Sequence, residues 1–199
     1  VLAELTQSFD QSDVSYFAPL LASTEQCLGF KPRFGAFDAA FDAFYVYEYF
    51  NASSGFAAVP FVERGQKGKR EFDEQGAPFC LAGHPMTLKY TFLCKTTLIP
   101  HERGRYVCPL WHPAATGECC PIQHKNWQKG GCISTIATSP GARLRYQLDR
   151  DSDDYKQVYR QRTATERINS QAVDFGIERP KLRNRNSITN QNTLTYILI

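Results

Sequence analysis

The sequence predicts an α/β fold that is interrupted by a basic segment rich in Cys and His. Short apolar runs alternate with helix-like segments over residues 1–63, a pattern typical of one layered domain. Residues 64–148 then hold many Gly, Pro, Cys and basic residues, together with all four His and both Trp. A helical pattern returns from residue 149. We therefore expect a partial core at 1–63, an insertion at 64–148 that contains β-structure, and a helical part of the same core at 149–199.

The elements of the first part follow from apolar spacing and from residues that break helices. Residues 1–9 begin as a strand-like run, and a helix capped by Ser12 or Asp13 follows it and ends at Lys31-Pro32. A short strand at 34–37, a helix at 41–50 and a second strand at 56–62 come next. Strand, helix and strand in this order predict parallel pairing.

The second and third parts differ in regularity. Within 64–148 we expect only short β-like pieces, such as residues 86–93. From residue 151 the Asp residues favour a helix N-terminus, and we expect one helix to run on towards Val173 and to be closed by Gly176. Residues 181–192 are polar and lead to a last apolar piece.

Composition indicates a globular protein and excludes several classes. The 199 residues are 42% hydrophobic and 22% charged, which is not typical of disorder. No apolar run approaches the length of a membrane span, and the start carries no secretory signal. The chain begins at Val1 and ends on an apolar run at 195–199, so we expect a piece cut from a longer protein at both ends.

Charge and cysteine are unevenly distributed. The balance is −6 over 1–63, +7 over 64–148 and +2 over 149–199, which fits metal binding in one place and phosphate binding in another. Ordinary variation of surface charge explains it equally well. The seven Cys are an odd number without a secretory signal, so we expect reduced thiols or a metal site and no disulfide framework.

The strongest motif lies in the late helix. Tyr155, Tyr159, Arg162, Glu166 and Val173 share one helical face by their three- and four-residue spacing. Such a face would hold a partly shielded carboxylate with a guanidinium beside it. The alternative is a surface Arg–Glu pair.

This motif resembles a known signature. Tyr-x2-Arg-x3-Glu is similar to the sequence around the last catalytic acid of DDE-type insertion-sequence transposases. One subgroup is also similar to Tyr159-RQRTATERINSQA-Val173, Arg103-GRYVCPL-Trp111 and Gly141-ARLRYQLDRDS-Asp153. In addition, Phe37-Asp38-Ala-Ala-Phe41-Asp42 is similar to the motif around the second catalytic Asp of these enzymes. The alternative for Asp38 is a structural residue that ends a strand or caps a helix.

The resemblance implies an RNase H-like core that lacks its first strands, with Asp38 and Glu166 as catalytic acids and Arg162 and Tyr159 as their signature neighbours. Such acids bind two Mg²⁺ or Mn²⁺ ions, which activate a nucleophile and stabilise the leaving oxygen during DNA cleavage and strand transfer. The implied partners are element-end and target DNA and further copies of the chain. The implied location is the prokaryotic cytoplasm, near the nucleoid and without a membrane.

Two departures from the family pattern limit what this chain can do. The family has Lys where Val173 stands, although Arg179 or Lys181 could contact phosphate instead. The first catalytic Asp is expected upstream of Val1, because Asp10 and Asp13 lie too close to Asp38 for the intervening strands. We therefore expect the chain to be inactive alone, as part of an active enzyme or of a decayed one.

The Cys/His-rich segment offers a second kind of site. Cys108, Cys120, His124 and Cys132 would suit tetrahedral Zn²⁺, although no paired CxxC occurs. The possible substitutes are Cys80, His84, Cys94 and Cys119, and buried thiols without metal are the alternative. Zinc here would favour a different function, a zinc-stabilised nucleic-acid-binding module without catalysis.

A basic run is the last candidate. Arg64, Lys67, Lys69 and Arg70 are interleaved with Gly and would contact DNA phosphates without reading sequence. A solvated loop of the same composition is equally compatible with this run.

Overall fold

The computed structural model describes residues 2–6, 11–63, 70–96 and 99–199. The chain forms two compact units. The first unit contains Val1–Asp42, Phe50–Pro60 and Asp149–Ile199, and the second contains Ala43–Tyr49 and Phe61–Leu148. Helices and small sheets occur together, so the predicted mixed α/β class is confirmed. None of the helices in the described ranges combines the length and apolar character needed to cross a bilayer.

The elements are as follows. The helices are α1 (Phe17–Leu28), α2 (Phe44–Asn51), α3 (Pro140–Gln147), α4 (Asp153–Arg160), α5 (Arg162–Asp174) and α6 (Arg185–Leu198). The strands are β1 (Phe34–Ala36), β2 (Phe56–Ala58), β3 (Thr87–Cys94), β4 (His101–Val107) and β5 (Ile133–Ala137). Three short 3₁₀ turns lie at Asp13–Tyr16, Ala39–Phe41 and Trp127–Lys129.

The first unit contains the predicted parallel pair. β1 and β2 run parallel, with Phe34 opposite Phe56 and Ala36 opposite Ala58. At Gly55, immediately before β2, a Cβ would collide with the backbone carbonyl of Arg33. Only glycine therefore permits the two backbone segments to approach this closely. The predicted parallel pairing is therefore confirmed.

The core of the first unit is aromatic. Phe17 and Phe50 are buried, and their ring centroids lie 6.3 Å apart. The ring of Phe37 lies 5.7 Å from each of them. Ala57 and Val59 are also buried, so β2 meets the core through small and β-branched side chains.

One prediction for the ends of the first unit is wrong, and one helix was not predicted. Residues 2–6 have no regular secondary structure, so the strand predicted at 1–9 is absent there; residues 1 and 7–9 lie outside the described part. Side chains instead hold this segment, since Glu4 accepts a hydrogen bond from Thr193 at 3.1 Å. The polar segment after Pro180 forms α6, which begins where the Asn184 side chain accepts from the Ser187 N–H at 2.8 Å.

The late helix is two helices and not one. α4 begins at the Ser152 cap, where Ser152 Oγ accepts from the Tyr155 N–H at 3.2 Å. Gln161 then donates to the Val158 carbonyl and accepts from the Ala164 N–H, and these three-residue bonds tighten the backbone between α4 and α5. Gly176, with φ of +83°, ends α5 as predicted.

The second unit is more regular than predicted. β3, β4 and β5 form an antiparallel sheet in that order, with Phe92 opposite Arg103 and Arg105 opposite Thr135. The piece predicted at 86–93 is β3, whereas β4 and β5 were not predicted. One face of this sheet supplies Tyr106 and Ile136 to a core that also contains Met86.

Candidate functional site

Asp38 follows the first strand directly. The Phe37 N–H donates to the Ala58 carbonyl at 3.0 Å, so strand pairing continues to the residue before Asp38. The Asp38 side chain then accepts a hydrogen bond from the Ala40 N–H at 2.9 Å and caps the 3₁₀ turn Ala39–Phe41. Asp38 is half-buried, so one carboxylate stands at the carboxyl end of β1 in contact with solvent.

Glu166 lies on the first half of α5. Its Oε1 is 2.7 Å from Nη1 of Arg162, which is the first residue of that helix. The side chains are 32% exposed for Arg162 and 55% exposed for Glu166. Because both are well exposed, the ion pair holds the carboxylate in one place without stabilising the fold strongly.

Asp38 and Glu166 line the same cavity. This cavity has a volume of about 570 Å³, which lies within the range of small-ligand sites. Its charged lining consists of Asp13, Asp38, Arg162 and Glu166, and its apolar wall includes Phe17 and Phe37. All of these residues belong to the first unit. The cavity therefore brings together three carboxylates and one guanidinium beside the aromatic core.

Tyr159 is not among the residues that line this cavity. It lies on α4, where its ring stacks on that of Tyr155 at 5.7 Å with an interplanar angle of 11°. The helix predicted to carry Tyr155 to Val173 is divided at Gln161, so Tyr159 lies on α4 whereas Arg162 and Glu166 lie on α5. Arg162 and Glu166 keep their predicted neighbourhood because both lie within α5.

Three of the four predicted zinc ligands lie in one cluster. Cys108 and Cys120 are buried together, and Cys132 packs against them. Burial raises the pKa of the Cys132 thiol to about 12, with further contributions from the neighbouring thiols of Cys80 and Cys108. We call these four residues the thiol cluster; it includes Cys80, one of the substitute ligands, and lies within the second unit.

The backbone around the thiol cluster is sharply turned. The carbonyls of Cys80, Cys108 and Cys120 each accept a hydrogen bond from the N–H three residues later, at 3.0, 3.2 and 3.1 Å. Each of these cysteines therefore opens a tight turn. His124 lies beyond the third turn, and its Nε2 is buried without a hydrogen-bond partner among the described residues.

The arrangement stops short of a formed metal site. Within residues 2–6, 11–63, 70–96 and 99–199, no three or more His, Cys, Asp or Glu side chains are grouped so as to hold a metal ion. Of the remaining substitutes, Cys119 is exposed. Cys94 lies apart from the cluster, where hydrogen bonds with Thr96 lower the pKa of its thiol.

Most of the predicted DNA-binding run lies outside the described residues, namely Arg64, Lys67 and Lys69. Arg70 is described, and its Nη1 donates to Ser134 Oγ at 2.6 Å. Its guanidinium also lies 5.9 Å from the centre of the Tyr146 ring. Arg70 therefore has structural contacts within the second unit.

Compared with protein families, with curated proteins and with solved structures, the chain has no match. The resemblance to transposases therefore rests on the motifs of the sequence.

Proposed function

We propose that the chain is part of a DDE-type DNA transposase with an RNase H-like core, in which Asp38 and Glu166 are two of three catalytic carboxylates. The observation that carries this proposal is the shared cavity, lined by a carboxylate from the end of a strand and another from a later helix. These residues lie 128 positions apart in the chain and were selected from the sequence by their motifs.

The donor set suits the metal ion that this chemistry uses. Asp and Glu offer the hard oxygen ligands that Mg²⁺ and Mn²⁺ prefer. In the intact enzyme such ions would activate the nucleophile and stabilise the leaving oxygen of the phosphodiester. Asp38 and Glu166 would hold the ions.

The remaining cavity residues have simpler roles in this proposal. Arg162 bonds Glu166 at 2.7 Å and so fixes its carboxylate on the cavity side of α5. Its positive charge also offsets repulsion among the three carboxylates of the cavity. The role of Tyr159 in this proposal rests on the signature motif alone. The proposed partners are DNA and further copies of the chain, in the prokaryotic cytoplasm.

The test is a titration of the 199-residue chain with Mn²⁺, in which binding is measured by water-proton relaxation. We expect Asp38→Asn and Glu166→Gln each to weaken Mn²⁺ binding about tenfold or more, since each removes a charged ligand. Asp174→Asn is the matched control, because Asp174 ends the same helix and does not line the cavity. Equal affinity in all four proteins would rule out a metal site at Asp38 and Glu166.

A second candidate function is a zinc-stabilised nucleic-acid-binding module without catalysis, and the thiol cluster favours it. Thiolates are the preferred ligands of structural Zn²⁺. This candidate predicts about one zinc per chain by elemental analysis, loss of that zinc in Cys108→Ser, and DNA binding that survives Asp38→Asn combined with Glu166→Gln. A metal-free, folded chain would argue against it.

A further inference from the structure

One face of the β3–β4–β5 sheet combines exposed aromatic rings with arginines. Directly opposed residues of an antiparallel pair share a face, so Tyr90 with Arg105 and Phe92 with Arg103 form two adjacent rows. The rings of Tyr90 and Phe92 lie 6.1 Å apart. We call these four residues the aromatic–arginine face. The core residues Tyr106 and Ile136 belong to the opposite face of the same sheet.

The two rings remain exposed although the opposite face of the sheet packs into a core. Tyr90 is 48% exposed and Phe92 is 40% exposed. Contiguous exposed apolar surface, unlike a single exposed side chain, is a mark of binding sites on proteins. The described strands order as β3–β4–β5, so β3 is an edge strand and its rings are accessible from the side as well as from above.

The charged side chains that the three strands place on this face are all positive. The three strands carry Lys89, Arg103, Arg105 and His101, and their only acidic residue is Glu102. Glu102 lies opposite Leu93, on the other face, and accepts a hydrogen bond from Thr138 at 2.9 Å. The aromatic–arginine face therefore offers stacking surfaces and positive charge without a carboxylate from these strands.

We propose that the aromatic–arginine face binds single-stranded DNA, with unpaired bases stacked on Tyr90 and Phe92 and the phosphate backbone beside Arg105. Arg103, whose Nη2 donates to the Thr135 carbonyl at 2.9 Å, adds positive charge from within the sheet. Exposed aromatic rings stack on unpaired bases of any sequence, and basic side chains attract the phosphates. The bases of a duplex present only their edges and cannot stack on these rings. The stacking argument needs neither Asp38 nor Glu166, whereas the choice of DNA over RNA rests on the proposed function.

A protein strand added to the edge of β3 is the competing occupant. Lys89 lies on that edge strand, and a lysine there disfavours strand addition by burying a charge. Strand addition would also use the backbone of β3 and would not require aromatic side chains on one face. The observed pairing of rings with arginines thus favours a polyanion with flat bases.

The test is fluorescence anisotropy of the complete chain with a labelled single strand of about 16 nucleotides. We expect Tyr90→Ala and Phe92→Ala each to weaken binding about 5- to 100-fold, and Tyr90→Phe to retain it because the ring remains. Leu93→Ala is the matched control, since Leu93 is 56% exposed on the same strand but belongs to the opposite face. Arg105→Gln should reduce the salt dependence by about one phosphate contact.

Several outcomes would overturn the proposal. These are equal loss in Leu93→Ala and Tyr90→Ala, binding of duplex as tight as single strand, and preference for RNA of the same sequence. Self-association lost in the ring variants, with DNA binding unchanged, would assign the face to a second copy. The combined Asp38→Asn and Glu166→Gln variant should bind the single strand like the parent, so failure of the metal site and failure of this face are separate results.

Discussion

The first unit has a core of aromatic rings, and its carboxylates Asp38 and Glu166 lie beside that core at a cavity. In the second unit the potentially reactive groups, the thiols of Cys108 and Cys120, are themselves part of the core. In the first unit, stability and chemistry therefore depend on different residues, whereas in the second unit they depend on the same residues. Replacement of Asp38 or Glu166 by its amide should change chemistry alone, whereas substitution of Cys108 or Cys120 should change chemistry and folding together.

The largest effect is expected from the aromatic core. Phe50 is 1% exposed and its ring meets those of Phe17 and Phe37, so Phe50→Ala leaves a cavity that its neighbours cannot fill. We expect a loss of about 3–5 kcal/mol in the free energy of unfolding, measured by urea denaturation. Phe34→Ala is the control, because Phe34 is 48% exposed on β1 and its loss should cost only about 1 kcal/mol. Equal losses would refute an aromatic core centred on Phe50.

The next largest effect is expected in the pH dependence of the unfolding free energy, which tests the thiol cluster. An unfolded cysteine thiol has a pKa near 9.0, whereas burial and the adjacent thiols raise the pKa of Cys132 to about 12. The folded chain therefore holds this proton more tightly, and the resulting stabilisation is complete below pH 9 and is lost as pH rises towards 12. Cys132→Ala should flatten the decline of unfolding free energy over this window.

A matched control is available for this pH experiment. Cys119 is exposed, and Cys119→Ala should leave the pH dependence unchanged. Burial also raises the pKa of Tyr45, Tyr106, Tyr155 and Tyr196, whose contributions have the same sign. Because these tyrosines remain in every variant, the difference between variants isolates Cys132. Parallel curves for Cys132→Ala and the parent would contradict its burial among the thiols.

A smaller loss of unfolding free energy is expected when helix caps are removed, and the caps of the two units can be compared. Ser152 caps α4 in the first unit by accepting from the Tyr155 N–H, so Ser152→Ala should cost about 1 kcal/mol in thermal or urea unfolding. Ser139 precedes α3 in the second unit without a side-chain cap bond, and its Oγ is buried with no partner among the described residues. Ser139→Ala should therefore be neutral or slightly stabilising. A loss equal to that of Ser152→Ala would show that Ser139 also caps.

The first unit was easier to predict than the second for a physical reason. The strand at 34–37 and the helix predicted before Lys31-Pro32 have local apolar patterns, and both appear within a few residues of their predicted bounds as β1 and α1. β4 is predominantly polar and charged along its length, so its pattern is weak without its partners. Its register depends on β3 and on β5, about thirty residues away, and such long-range pairing leaves little local signal.

The candidate site shows the same limit. The motifs selected Asp38 and Glu166, but the cavity that they line also involves Asp13 and Phe17, which only the packing of α1 brings there. Tyr159 was grouped with Glu166 by helical spacing, but spacing does not reveal that the helix divides at Gln161, and Tyr159 is not among the residues that line the cavity. Cys80 carries no signal beyond its residue type, and it reaches the thiol cluster through tertiary contacts alone.

The smallest change in the free energy of unfolding is expected for Glu166→Gln. This variant is also the sharpest test of the contrast between the two units. The Arg162–Glu166 pair is exposed and has Arg before Glu, the less favourable order in a helix, so Glu166→Gln should change the free energy of unfolding by about 0.5 kcal/mol or less. Arg162→Gln should behave alike, and 1 M salt should remove most of either difference. Because the same Glu166→Gln change is expected to weaken Mn²⁺ binding about tenfold or more, stability and metal affinity should separate at this residue. A stability loss as large as that of Phe50→Ala would instead make Glu166 a structural residue, and the first unit would then resemble the second.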